Sequence, residues 1–194
     1  MKYELLHTLG YYALKKKYRT FCLRWRLIRE DTKRKQQILN NISSLTSSIL
    51  QCYNNSSDVI VSLTSYGARV SETLPCTVYS LLQQSVKPNR IIVWLDNINW
   101  SLDNLPEPLR QLQKAGVEVM FCKDIRSYKK LIPTLRLYPN NIIITVDDDM
   151  YYNEHLIEWL LDAYQLSNKN VVIGTKATRI TNVDGVYLPY SKWD

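Results

Sequence analysis

From residue 58 onward the chain alternates short, continuously apolar runs with amphipathic stretches, and this alternation limits the folds open to it. Val59–Leu63 (VIVSL), Ile91–Leu95 (IIVWL), Val117–Phe121 (VEVMF), Ile142–Val146 (IIITV) and Val171–Thr175 each read as a strand. Between them the spacing predicts helices over Ser71–Val86, with Pro75 in the first turn, over Glu107–Ala115, stopped by Gly116, and over Ser127–Tyr138. A further helix is expected over Glu154–Leu166, capped by Asn153 and turning Leu156, Leu160 and Tyr164 inward. Asp184-Gly185 between apolar residues predicts a hairpin turn. Strands that are apolar on both faces belong in a sheet covered on both sides. The expected class is therefore α/β, a mostly parallel Rossmann-like sheet with helices on both faces.

Residues 1–57 have a different texture, and we read them as a helical extension to a domain spanning 58–194. Apolar residues recur at helical spacing at Leu14, Tyr18, Phe21, Trp25 and Ile28, and again at Ile38, Ile42, Leu45, Ile49 and Cys52. This segment holds 11 Lys/Arg against 3 Asp/Glu, so the chain's net charge of +7 resides there. Such a helix can pack on its own domain, pair with a twin chain as a homodimer, or lie on an anionic membrane surface. No nucleic-acid-binding motif accompanies the charge, and nucleic acid is not an expected partner. Cys22, Cys52, Cys76 and Cys122 stand far apart, without the spacing of a zinc site or a disulfide framework. With no signal-like start and no long apolar stretch, the expected location is the cytoplasm, peripherally on the inner face of the plasma membrane if the extension docks there.

In open parallel sheets, ligands bind beyond the carboxyl ends of the strands. Polar clusters fall at those ends: Thr64-Ser65-Tyr66 through Arg69, then Asp96, then Asp147-Asp148-Asp149. Neither GxGxxG nor GxxxxGK[ST] occurs, so the glycine-rich ways of holding phosphate are not in play. Three adjacent carboxylates repel one another unless a cation is shared. Pleat alternation carried through the triplet sets Asp147 and Asp149 on one side, an oxygen pair suited to Mg²⁺ or Mn²⁺. Asp148 then points elsewhere and can accept a hydrogen bond from a hydroxyl. A metal held by two carboxylates completes its shell with water and phosphate, and Arg69, Arg126, Lys129 and Lys130 are the candidate phosphate partners. The alternative is a solvated acidic loop and a solvated basic helix face. Tyr66 can stack on a base or pack at the sheet edge. Asp96 can bind a ribose or base N–H, or cap the next turn. His155 reads as a residue of the first helical turn.

The blocks VSLTSYGARV, SLLQQSVKPNRIIVWLD and SYKKLIPTLRLYPNNIIITVDDDMYY, in this order, resemble bacterial glycosyltransferases of the GT-A fold. More narrowly they are similar to the sugar transferases of surface-polysaccharide and lipopolysaccharide synthesis, over roughly residues 58–194. The resemblance implies a metal-dependent transferase that moves a sugar from a nucleotide-sugar donor, a UDP-sugar being favoured, to a glycan or lipid-linked acceptor. Asp147-Asp148-Asp149 matches the family's DxD motif, which implies metal and diphosphate contacts for Asp147 and Asp149 and a ribose or sugar contact for Asp148. It further implies that Thr64, Tyr66 and Arg69 line the nucleotide, that Asp96 meets the base or ribose, and that Lys130 stands near the phosphates. Family members continue past the hairpin into an acceptor-binding half that carries a carboxylate base in inverting members. This chain stops at YSKWD, so a C-terminally truncated domain is expected. No catalytic base is assignable, Asp184 and Asp194 being the carboxylates left over. The alternative function is a catalytically incompetent nucleotide-binding remnant or scaffold. A two-metal phosphoesterase would need a second carboxylate cluster or a ligating His pair.

Overall fold

The computed structural model describes residues 31–45, 58–167, 171–175 and 179–193. The apolar stripe Leu14–Ile28, residues 46–57 of the expected extension, Cys22, Cys52 and Asp194 lie outside these residues.

Four parallel strands form the sheet: β1 (Val59–Thr64), β2 (Arg90–Asp96), β3 (Glu118–Cys122) and β4 (Ile142–Thr145), in the spatial order β3-β2-β1-β4. The first three strands step outward one by one, and the chain then crosses back to lay β4 on the far side of β1. The strand order thus reverses between β1 and β4, the place where open parallel sheets bind ligands.

Period-two alternation sorts the strand residues onto two faces. Val59, Val61, Leu63, Ile91, Val93 and Leu95 enter the larger core, beneath α3 (Leu74–Leu82), α4 (Glu107–Lys114) and α6 (Leu156–Leu166). Ile60, Ile92 and Trp94 face the other way, beside Met120 and Tyr138. That second face also holds a buried polar group. Thr134 of α5 (Ile132–Leu137) exchanges a hydrogen bond with Ser62 at 2.8 Å and accepts one from the Trp94 indole at 2.8 Å. Residues 31–43 form a helix, α1, whose Ile38 and Ile42 lie in the larger core. Part of the expected extension is thus built into the domain.

Several elements differ from the sequence reading, each for a local reason. The helix expected over Ser71–Val86 divides into α2 (Arg69–Glu72) and α3, because Pro75 lacks the N–H that would continue the ladder. Pro133 similarly divides the basic helix into a 3₁₀ turn, Arg126–Lys130, and α5. The last helix starts at Leu156 instead of Glu154, since the Asn153 side chain accepts from His155 N at 2.9 Å in a tight turn. Leu156 is buried and Leu160 packs at the core margin, while Tyr164 is half-buried. No strand forms over Val171–Thr175: Val172 is fully exposed, and the segment finds no ladder partner among the described residues. The hairpin is present, pairing β5 (Asn182–Val183) with β6 (Val186–Tyr187). Its turn residues Asp184 and Gly185 have φ of 52° and 79°, as a two-residue turn with both centres left-handed requires.

Candidate functional site

The carboxyl ends of β1 and β4 bring two of the three predicted clusters together. β1 ends at Thr64, whose hydroxyl donates to the Trp94 carbonyl at 2.8 Å and so ties β1 to β2. Ser65 follows, buried, and donates to Asp148 Oδ2 at 2.5 Å. The chain then turns at Gly67, φ 54°, into α2, and the turn returns Arg69 to the sheet edge. The Arg69 guanidinium donates to Asp148 Oδ1 at 3.0 Å and pairs with Asp149 Oδ2 at 3.2 Å. It also lies 5.2 Å from the centre of the exposed Tyr66 ring. The carboxylates keep the guanidinium pKa above its ordinary value, first through the hydrogen bond to Asp148 and then through that residue's charge.

The three aspartates are held differently from one another. β4 ends at Thr145, so the pleat alternation that would align Asp147 with Asp149 stops before it reaches them. Asp147 is largely exposed and pairs with Lys130 Nζ at 2.7 Å; the same ammonium reaches the Val146 carbonyl at 3.4 Å. Asp149 is half-exposed beside Arg69. Asp148, expected at the ribose or sugar, is buried with one oxygen on Ser65 and the other on Arg69. The hydroxyl it accepts from belongs to the protein.

The remaining predicted residues divide between the site and its supports. Lys130 reaches the triplet. Lys129 of the same turn is buried instead and pairs with Asp124 at 2.6 Å. That contact, with a second hydrogen bond from Arg126 N, holds the Asp124 carboxyl below its usual range. Arg126 itself is exposed, at φ 59°. Asp96 takes the capping alternative: its Oδ1 accepts from Ile98 N at 3.2 Å, Asn99 N at 2.8 Å and Asn99 Nδ2 at 2.8 Å. His155 is held by Glu158 at 2.7 Å and belongs to the start of α6.

Two supports were missed by the sequence reading. Ser65 gave no signal beyond its place in a polar run. Tyr152 accepts from Asp147 N at 2.8 Å and fixes the backbone of the first aspartate, while burial pushes its own hydroxyl pKa up. Its neighbour Tyr151 donates to Asp31 at 3.2 Å and lies under Arg34, 4.3 Å from the ring centre. Helix α1 therefore touches the segment that carries the aspartates. A cleft of about 90 Å³ runs between them, lined in part by Asp31, Lys35, Cys76 and Asp149.

Among the described residues no group of three or more His, Cys, Asp or Glu is arranged to hold a metal ion. At the edge, Asp147 and Asp149 each use one carboxylate oxygen in an ion pair, with different cations, and keep the other oxygen outside it. That donor set fits a hard divalent cation that draws its other ligands from water and phosphate. Three carboxylates against Arg69 and Lys130 leave the edge net negative. No helix among the described residues is long and apolar enough to cross a membrane. No family model, curated protein or solved structure matches the chain.

Proposed function

We propose that this protein is a metal-dependent glycosyltransferase, of which residues 58–194 form the donor-binding part. The observation that carries the reading is the meeting of Arg69 from the β1 loop with Asp148 and Asp149 from the β4 loop, where the strand order reverses. Lys130, from the crossover into β4, closes the other side on Asp147. Cations and exposed carboxylates at one sheet edge suit a diphosphate that arrives with a divalent ion.

Each residue then has a task that its position allows. Asp147 and Asp149 would hold Mn²⁺ or Mg²⁺, which when bound supplies positive charge to the departing nucleoside diphosphate. Without added positive charge, a net negative edge repels a diphosphate. Arg69 and Lys130 exchange a carboxylate partner for a phosphate oxygen, and the planar guanidinium offers two parallel donors. The exposed Tyr66 ring, already beside Arg69, offers a stacking face to a base. Ser65 and Asp148 keep the two loops in register, and Tyr152 fixes the backbone at Asp147. Asp96 caps its turn, and Asp184 is a hairpin residue, so neither is assigned as the acceptor's base. The donor is a nucleotide-sugar, UDP-sugars being favoured, and the acceptor a bacterial surface glycan or lipid-linked sugar at the cytoplasmic membrane face.

Thermal melting with UDP, GDP, dTDP and CMP and their sugars, each with and without Mn²⁺ or Mg²⁺, tests the donor site. One nucleotide family should raise the melting temperature only when the metal is present. Asp147→Ala with Asp149→Ala should remove that rise. The absence of a metal-dependent shift with every nucleotide would sink the reading. A shift without sugar transfer to any glycan acceptor would favour nucleotide binding alone.

A further inference from the structure

The segment after β3 carries a surface that the candidate site does not use. Residues 123–137 hold five Lys/Arg and one acid, with exposed apolar side chains among them. The backbone fixes their alignment. Leu131 N donates to the Tyr128 carbonyl at 3.1 Å, and Leu135 N to the Leu131 carbonyl at 2.9 Å. Tyr128, Leu131 and Leu135 therefore succeed one another by single turns along one face. The opposite face is buried: Lys129 pairs with Asp124, and Thr134 bonds Ser62 and Trp94. With that side anchored to the sheet, the stripe is directed at solvent. Tyr128 is 63 % exposed, Leu131 38 % and Leu135 45 %, with Leu137 at 54 % beside them.

The surrounding charge selects what can cover the stripe. Lys123, Arg126 and Arg136 are all exposed, and Asp124, the one acid of the segment, is already engaged by Lys129. A second copy of the chain, meeting this face through a two-fold axis, would set these cations against their own images. An anionic lipid surface satisfies both features at once, taking the apolar tips at the acyl boundary and the cations at the headgroups.

We propose that the 3₁₀ turn Arg126–Lys130 and α5 form a docking surface for an anionic lipid bilayer. This stretch of sequence is not part of the basic segment of residues 1–57, and the proposal does not rest on the donor-site reading. Lys130 and Tyr128 share one turn. Docking would bring the carboxyl edge of the sheet, where Lys130 meets Asp147, up to the bilayer.

Flotation of the full chain with vesicles of phosphatidylcholine and phosphatidylglycerol in equal parts, against phosphatidylcholine alone, tests the proposal. Amide hydrogen exchange over residues 123–138 supplies a local readout. The expected results are anionic-selective binding, slowed exchange in that segment, and at least about a tenfold loss of affinity in Tyr128→Ser/Leu131→Ser/Leu135→Ser. The Arg126→Glu/Arg136→Glu variant should lose the preference for anionic lipid. The charge variant changes exposed positions and should melt as the wild type does; the serine variant, whose two leucines are more than half covered, should melt lower but still cooperatively. The proposal is overturned if the serine variant binds vesicles like the wild type, or if exchange over 123–138 is unchanged when vesicles are added. Self-association that the serine variant abolishes, with no vesicle protection, would assign the stripe to a second copy and equally overturn it.

Discussion

Arg69 donates to Asp148 at 3.0 Å, joining the loop after β1 to the loop after β4. Asp148 is buried and also accepts from the buried Ser65 hydroxyl, whereas Asp147, one residue earlier, is largely exposed. Neighbouring carboxylates of one motif thus sit on different links of the chain from sequence to function. Asp148 supports the fold, and Asp147 is open to solvent, where the proposed donor site would use it.

This separation sets the first expectation. Asp148→Ala leaves the buried Ser65 hydroxyl without an acceptor, which should cost ~1–3 kcal/mol of unfolding free energy in urea. Asp147→Ala breaks an exposed pair and should stay within ~0.5 kcal/mol of the wild type while removing metal-dependent nucleotide binding. Equal losses of stability in the two variants would contradict the assignment.

A second expectation concerns the buried hydroxyl of Thr134. It serves Ser62 and the Trp94 indole together, under the face of the sheet that α5 covers. Thr134→Val keeps the volume but strands two buried polar groups, so a loss of ~2–4 kcal/mol is expected. Trp94 fluorescence should report a changed environment before global unfolding. A variant as stable as the wild type would show that water replaces the hydroxyl.

The contrast between these residues shows what the sequence carried. Strand identity and the sheet class were legible because β1, β2 and β4 are continuous apolar runs. The strand ends then placed Arg69 and the aspartates at one edge. Pro75 does stand in the first turn of a helix, α3, as expected, whereas the break at Pro133 is hidden by helical spacing on both sides of it. Other features were not legible. Whether Lys129 or Lys130 faces the aspartates depends on a one-residue rotation of a 3₁₀ turn, about 120° per residue. Whether Asp96 caps or binds depends on Asn99 folding back onto it. The contact of α1 with Tyr151 is tertiary, separated by 120 positions, and no local pattern announces it.

That contact gives a third expectation, in alkaline solution. The Tyr151 and Tyr152 hydroxyls have pKa values above the ordinary tyrosine value, in both cases first because burial disfavours the charged form. For groups raised in the folded state, the stabilisation is fully present below the unfolded pKa of about 10 and is lost as pH rises through the folded values. Urea unfolding at stepped pH should therefore show stability falling above about pH 10. Tyr151→Phe should lessen the fall and also lose ~1 kcal/mol at neutral pH, through the missing bond to Asp31. An unchanged alkaline slope in that variant would remove Tyr151 from the account.

The last expectation uses Cys76 as a reporter of α1. Ile42 is 1 % exposed in the core that also buries Cys76, and Cys76 lines the cleft with Asp31 and Lys35 of α1. Burial pushes the thiol pKa up, so the reactive thiolate is scarce at neutral pH. Cys122, half-buried on β3, is also pushed up by burial and serves as an internal control. Ile42→Ala should cost ~2–5 kcal/mol. If α1 opens as a unit, iodoacetamide labelling of Cys76, read by peptide mass mapping, should rise well before labelling of Cys122. The loop of Asp149 and Tyr151 should loosen with it, because the same helix holds Tyr151 through Asp31. Metal-dependent nucleotide binding should therefore weaken in Ile42→Ala although residue 42 is one of the core positions, remote in sequence from the aspartates. Parallel labelling of Cys76 and Cys122 would instead show global opening, and α1 would then have no separate hold on the site.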